Sequence, residues 1–338
     1  MRSFQYERAA DWRSAINAFQ AASADGESNY VSGGTTLIDL MKLDVMRPSH
    51  VIDISQLSTD RSLAAIEANS NGLRLGAFAS MAQAADHPDV IANYPVIAQS
   101  LQLAASAQIR NMALLGGNVL QRTRCTYFRD TSYPNCNKRN PGSGCAAIDG
   151  VNRAHAVLGT SPHCIATYPG DFAQALIALD AQVEIMGKNG ARKIAFGKLH
   201  VQPGETPNVE NTLLPGDIIT GFQIPAAPWT RRSVFLKIRD RQSYEFALAA
   251  AAVALDLDNG TIRNARIALG GVATTPWRAY EAEEQLSGQA LGDAALKTAA
   301  QAAFAQAQPR DHNAFKIELG ERTLVRALRQ AAALEIPT

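Results

Sequence analysis

Residues 31–37 read Val31-Ser32-Gly33-Gly34-Thr35-Thr36-Leu37: two consecutive glycines and two threonines between a strand-like stretch and an apolar helical pattern. Paired glycines at such a junction let the backbone approach a ligand closely, with N–H groups directed at it. A helix start adds partial positive charge, and Thr35 and Thr36 add hydroxyls, so the loop suits phosphate or pyrophosphate. It is neither the G-x-G-x-x-G fingerprint nor a Walker A loop. A tight turn that only caps a helix is the simpler alternative.

Outward from this loop the chain reads as a small βαβ unit. Phe4 and Tyr6 suit a strand, Asp11 caps a helix through Trp12, Ile16 and Phe19, and His50-Val51-Ile52-Asp53-Ile54 is the next strand. Leu73–Ala77 then leads as a strand into a helix from Ser80, and Tyr94–Ala107 is helical in pattern. A second Gly-Gly pair follows in Ile109-Arg110-Asn111-Met112-Ala113-Leu114-Leu115-Gly116-Gly117-Asn118. It reads either as another close approach to a long cofactor or as a glycine-kinked strand. Regular pattern resumes with a helix at Phe172–Leu179, behind Asp171 as N-cap, and with strands at Ala181–Met186 and Ile218–Ile224. Pro225 and Pro228 mark a linker. Beyond it lie strands at Ser233–Ile238, Ala247–Leu257 (its alanines would also suit a helix) and Ile262–Leu269, the last two joined by the hairpin signal Asn259-Gly260. The alanine-rich remainder is largely helical. The fold class is α+β: two lobes, then an antiparallel sheet backed by helices.

The four cysteines of the 338 residues all fall between Cys125 and Cys164, spaced C-x10-C-x8-C-x18-C. Four thiolates from one region can hold a [4Fe–4S] cluster or zinc, and the absence of a close C-x2-4-C pair favours the wider cluster. Two disulfides, or four unrelated thiols, are the plainer readings. Arg122, Arg124, Arg129, Lys138 and Arg139 surround the cysteines with charge that would offset a thiolate-bound cluster. The histidines form no metal-binding or catalytic pattern, with His155 and His163 inside the loop as minor candidates. Lys237, on a strand, reads by default as a solvated charge. Nothing resembles a hydrolytic triad.

Lys and Arg total 32 against 31 Asp and Glu, which excludes a global polyanion-binding surface and gives no expectation of nucleic-acid partners. No apolar run is long enough to insert in a membrane. The N-terminus has no signal-peptide pattern, so the chain by itself is expected in the cytoplasm, although export on a partner's signal would leave no trace.

Taken in order, these segments resemble the FAD-binding medium subunit of the xanthine dehydrogenase family of molybdenum hydroxylases. The likeness rests on Ser32–Leu37 with Asp39-Leu40-Met41-Lys42, on Ile109-Arg110-Asn111 leading to Gly116-Gly117-Asn118, on Leu214-Pro215-Gly216-Asp217-Ile218-Ile219, and on Gly270-Gly271-Val272-Ala273 with Pro276-Trp277-Arg278. The cysteine insertion, from Gln121-Arg122-Thr123-Arg124-Cys125 to Gly144-Cys145-Ala146-Ala147, is similar to that of the FAD subunits of bacterial periplasmic aldehyde oxidoreductases; 4-hydroxybenzoyl-CoA reductase carries a related one.

The resemblance implies a two-lobed FAD-binding domain of the vanillyl-alcohol oxidase type over 1–225, with lobes about 1–55 and 56–225 and an insertion about 121–168. A C-terminal domain of the CO dehydrogenase flavoprotein type would cover 229–338. It implies FAD held by Tyr30, Val31, Ser32, Gly33, Gly34, Thr35, Thr36, Leu37 and Ile38, by Gly116, Gly117 and Asn118, and by Asp171, Ile219 and Lys237. A [4Fe–4S] cluster would sit on Cys125, Cys136, Cys145 and Cys164. Leu114 stands where many members have Thr or Ser, so a hydroxyl contact there is absent. The implied partners are a large molybdopterin-binding subunit, a small subunit with two [2Fe–2S] clusters and an external electron acceptor, in a periplasmic complex. No substrate base is expected on this chain. The alternatives are a molybdenum hydroxylase acting on an N-heterocycle or an aromatic CoA thioester, a self-contained FAD oxidase, and a zinc-braced interaction module without flavin.

Overall fold

The computed structural model describes residues 1–23 and 26–336; the last two residues of the expected C-terminal domain lie outside that range. The first sheet is parallel, in the order β1-β3-β2, from β1 (Gln5–Arg8), β2 (Ser28–Val31) and β3 (His50–Asp53). Asp11 caps the connecting helix Trp12–Ala22 by accepting from the Ser14 N–H. The second sheet is antiparallel, in the order β4-β5-β8-β6-β7, from β4 (Ile66–Asn69), β5 (Gly72–Gly76), β6 (Gln182–Gly187), β7 (Gly190–Ala195) and β8 (Ile218–Pro225). The third, also antiparallel, runs β12-β11-β10-β9, from β9 (Ser233–Ile238), β10 (Ala249–Asp258), β11 (Thr261–Gly270) and β12 (Trp277–Arg278). Three helices follow it: Tyr280–Leu286, Asp293–Ala303 and Phe315–Ala332. The α+β class and the helix-backed antiparallel sheet are as the sequence implies.

The alanine run is a strand because both of its faces are buried. Ala250, Ala252 and Ala254 face the core of the second lobe, and Ala249, Ala251, Val253 and Leu255 face the core under the C-terminal helices. Alternation with period two divides the residues between the cores, and small side chains let both layers pack close. The hairpin at Asn259-Gly260 has φ of 48° and 81°, the two positive angles that a type I′ turn needs.

Three local expectations are corrected. The helical stretch 94–107 is two helices, Pro95–Gln102 and Ala107–Met112, separated at Ala105 (φ 49°). The second Gly-Gly is not a kinked strand: Gly116 and Gly117 lie in the short helix Leu115–Val119. Asp171 occupies the N-cap position of the helix Phe172–Ala178 but makes no capping bond, because Lys237 takes its carboxylate.

The cysteine insertion has almost no regular structure and wedges between other parts. Phe128 and Cys136 pack with Leu40, under the helix Leu37–Lys42 that follows the first Gly-Gly loop. At its other end, Val157 and Leu158 join the C-terminal core, and Leu158 forms an isolated parallel bridge with Ala273. Lys316, fully buried on the last helix, fastens this end by donating to the carbonyls of Ala154, His155 and Gly271 at 3.2, 3.0 and 2.6 Å. Burial pushes its ammonium down to about 7; the three carbonyls oppose this, since only the protonated form carries three donors.

Candidate functional site

A cleft of about 630 Å³ opens between the first two sheets, within the size range of cofactor sites. The end of β2 and the loop that leads from it into the helix Leu37–Lys42 supply one wall, from Tyr30 to Leu37, and Gly116, Gly117, Asn118 and Ile219 supply the other. Gly33 is obligatory at their junction: a Cβ there would lie 2.0 Å from the Met112 carbonyl oxygen, so the two Gly-Gly segments touch backbone to backbone. Gly34 has φ +71°, a left-handed angle that glycine takes without strain. Gly117 is different, because a Cβ on it would meet nothing within 4 Å; it faces open cleft. Ile38 lies one residue past the wall, packed with Leu37, Met41 and Val51.

The polar groups of the walls are poised for a ligand. Ser32 Oγ and Asn118 Oδ1 are buried and have no hydrogen-bond partner among the described residues. Such groups are costly unless something else satisfies them. The third wall, Leu213–Asp217, carries the Leu-Pro-Gly-Asp segment of the sequence likeness. Tyr30 ties it to the first lobe: its hydroxyl donates to Gly216 O at 3.0 Å, and its ring lies 4.9 Å from that of Phe19. Arg192 fixes Asp217 through two guanidinium nitrogens, and the Asp217 carboxylate accepts from Leu214 N at 2.6 Å. Leu114 lines the cleft without a hydroxyl.

Asp171 and Lys237 do not line this cleft. They are both buried and pair with each other, Lys237 Nζ to Asp171 Oδ2 at 2.6 Å, and Lys237 also donates to Leu103 O. Burial pushes the Asp171 carboxyl up, against the opposing pull of Lys237. Lys237 as a solvated charge is therefore corrected, because β9 is covered on that side by the helices of the second lobe.

The four cysteines, 39 residues apart from first to last, line a single small enclosed cavity together with Phe128, Asn137, Lys138 and His163. All four are free thiols, which sets the disulfide reading aside. Cys136 and Cys145 face each other across an isolated antiparallel bridge, and the Ala166 N–H donates to Cys164 Sγ at 3.4 Å. The Cys164 thiol and the backbone N–H groups of Ala147, Ile148 and Ile165 pull the Cys145 thiol down, whereas Cys145 and burial push Cys164 up. Burial pushes the Cys125 thiol up to about 12. Among the described residues, no three potential ligands converge closely enough for a single metal ion.

The cations that surround the cysteines in sequence all have partners in the structure. Arg124 and Arg129 both bind Asp39, on the helix behind the first Gly-Gly loop, and Arg122 and Lys138 both bind Glu210 at 2.7 Å. Arg139 donates to the carbonyls of Tyr127, Phe128, Asp130 and Tyr133. Four cations thus share two carboxylates and Arg139 has carbonyl partners only, so an excess of positive charge remains beside the cysteines. Arg122 and Glu210 also line the cleft. A cavity of about 40 Å³ shares Leu120 and Glu210 with the lining of the cleft and Lys138 and Cys164 with that of the cysteine cavity.

The Arg129 hydrogen bonds hold Asp39 below its ordinary value, against burial. For Glu210 burial is the largest effect and raises it, but Arg122 and Lys138 together outweigh it, and the net direction is down. A carboxylate lowered by folding contributes stability above its unfolded pKa of about 4, and that contribution fades as pH falls through the folded value. Asp39→Asn is therefore expected to lower Tm at pH 6. The difference from wild type should narrow below about pH 4, as thermal melts over a pH series would show.

Residues 2–227 match the family model described as the FAD binding domain in molybdopterin dehydrogenase, and residues 234–331 match the CO dehydrogenase flavoprotein C-terminal domain. The aldehyde oxidoreductase FAD-binding subunit PaoB of Escherichia coli (strain K12) is 42% identical over 337 residues, covering 98% of this chain and 99% of that one. The carbon monoxide dehydrogenase medium chain of Afipia carboxidovorans is 26% identical, covering 98% and 97%. Among solved structures, a carbon monoxide dehydrogenase from Hydrogenophaga pseudoflava that lacks the Mo-pyranopterin moiety superposes with a TM-score of 0.75 at 24% identity, covering 98% of both chains.

Proposed function

Since the chain belongs to the FAD-binding medium subunits of the CO dehydrogenase and xanthine dehydrogenase family, we propose that it is the FAD- and [4Fe–4S]-carrying subunit of a molybdenum-dependent aldehyde oxidoreductase. It would receive electrons from the [2Fe–2S] clusters of a small partner, downstream of a large molybdopterin subunit, and deliver them to an external acceptor. The single observation that carries the flavin part is the cleft between the two touching Gly-Gly segments, with Ser32 Oγ and Asn118 Oδ1 unpartnered on its walls. Likeness to the aldehyde oxidoreductase subunit supports the aldehyde. The periplasm as compartment rests on the resemblance of the cysteine insertion alone, and cell fractionation would test it.

FAD, when bound, supplies a carrier that takes two electrons and can release them one at a time. The chain's part is to hold and orient it. Gly33, Gly34 and Thr35 offer backbone to the pyrophosphate, Ser32 and Asn118 offer side-chain hydrogen bonds, and Ile219 with Leu114 offers apolar surface. Tyr30 keeps the Leu213–Asp217 wall against the first lobe.

Cys125, Cys136, Cys145 and Cys164 fit a [4Fe–4S] cluster: they face one enclosed cavity as free thiols beside an excess of positive charge. The cavity that shares lining residues with both that site and the cleft supports a relay or tuning role. Each single Cys→Ser variant is expected to lose most of its cluster iron, measured as iron and sulfide per chain; a full complement after Cys136→Ser would remove that residue from the ligand set.

Stopped-flow spectra test the assignment of function. In the assembled complex an aldehyde should bleach the flavin bands. The full-length chain without its partners should leave them unchanged, whereas flavin reduction by the chain alone would favour the self-contained oxidase.

A further inference from the structure

His155 sits inside the insertion, outside the lining of the cysteine cavity but against one of its cysteines. It is buried, and its Nε2 lies 3.1 Å from Cys125 Sγ. Its other ring nitrogen, Nδ1, is buried with no partner among the described residues. The backbone around it is pinned from several directions: its N–H donates to Asn152 O, its carbonyl accepts from Lys316 Nζ at 3.0 Å, and Ala156 O accepts from Asn313 Nδ2 at 3.1 Å. Lys316 and Asn313 belong to the C-terminal domain, so that domain aims the imidazole at Cys125.

The proton inventory then fixes a direction. A cysteine bound to iron is a thiolate and has no proton to give. A contact at this distance therefore needs the proton on Nε2, which leaves Nδ1, unpartnered among the described residues, as the bare lone pair. We propose that His155 donates an Nε2–H···Sγ hydrogen bond to Cys125 and thereby sets the reduction potential of the cluster. The inference rests on the cluster reading given above. One-electron reduction adds negative charge that is shared by the ligand sulfurs, and a donor at one of them stabilises the reduced form, so the potential rises.

The test is a mediator titration of the purified complex, followed by low-temperature EPR of the [4Fe–4S] signal, in wild type, His155→Leu and His155→Gln. With iron retained, His155→Leu should become harder to reduce. The ratio of reduced to oxidised cluster at fixed potential should fall about tenfold, or 59 mV for one electron. His155→Gln, which keeps an N–H donor, should recover most of that difference. A Leu variant that titrates with wild type, or that becomes easier to reduce, overturns the proposal. If the Leu variant loses its iron, the Gln variant decides. Full iron and a near-native potential support the hydrogen bond, and loss of iron there too makes His155 part of the frame and overturns its tuning role. A wild-type complex without cluster iron fails the cluster reading itself, and the iron count tells the two failures apart.

Discussion

Gly117→Leu should yield a folded chain that no longer holds FAD. A Cβ at Gly117 meets nothing within 4 Å, and the residue sits in the short helix Leu115–Val119, so the backbone accepts a side chain there. Leucine has the higher helix propensity, worth about 0.5–1 kcal/mol over glycine. Thermal stability of the flavin-free chain should therefore match or slightly exceed that of flavin-free wild type. The leucyl group would project into the cleft where the second Gly-Gly wall meets the ligand. Affinity for FAD should fall at least about 100-fold, equivalent to about 2.8 kcal/mol, measured by flavin fluorescence titration. Gly33→Ala is the contrasting case. Its Cβ would meet the Met112 carbonyl oxygen at 2.0 Å, so it forces the loops apart and should lower flavin affinity and Tm together. Native FAD content in Gly117→Leu would mean that the cleft is not the flavin site.

Lys316→Met should loosen the cysteine insertion from the C-terminal domain. Methionine is close in volume, but it removes the donor shared by the carbonyls of Ala154, His155 and Gly271; Thr167 Oγ1 still donates to Ala154 O and Asn313 Nδ2 to His155 O, so Gly271 O is the one left without a partner. Each buried carbonyl that goes unpaired costs about 1–3 kcal/mol, and part of this is returned because a buried charge no longer has to be desolvated. A net loss of about 1–2 kcal/mol is expected. It should be accompanied by faster amide exchange across residues 152–158, while the sheet β9–β12 keeps most of its protection. Hydrogen exchange read by mass spectrometry separates this local loosening from global unfolding. Unchanged exchange at 152–158 would show that the apolar contacts of Val157 and Leu158 alone hold the insertion.

The parts of this molecule that local sequence decides were legible in it. Asp11 before an amphipathic run, Asn259-Gly260 between alternating strands, and Gly33-Gly34 between strand and helix each carry a backbone requirement in the residue type itself. The alanine run was ambiguous because its strand character comes from two cores meeting on either face, a tertiary fact. β4 and β7 went unread, because Ile66–Asn69 and Gly190–Ala195 are edge strands, half polar and largely exposed.

At the site, the two Gly-Gly walls could be named, but their contact at Gly33 and Met112 could not, since those residues lie 79 positions apart. Clustering of the cysteines was visible, yet their neighbours were not. Asp39, Glu210 and Lys316 come from remote segments, and a lone charge on a helix or loop has no local mark of its partner; His155 could be named within the insertion, but not its contact with Cys125. For the same reason Lys237 read as solvated, though it is buried against Asp171.

The most direct test of the account is cofactor stoichiometry of the full-length chain, purified without air and without its partners, by flavin extraction and by iron, sulfide and zinc analysis. The account predicts about one FAD and about four iron with four sulfide per chain, with flavin lost in Gly117→Leu and iron lost in Cys136→Ser. A chain that carries zinc in place of iron, or that carries no flavin at any stage of purification, would contradict it.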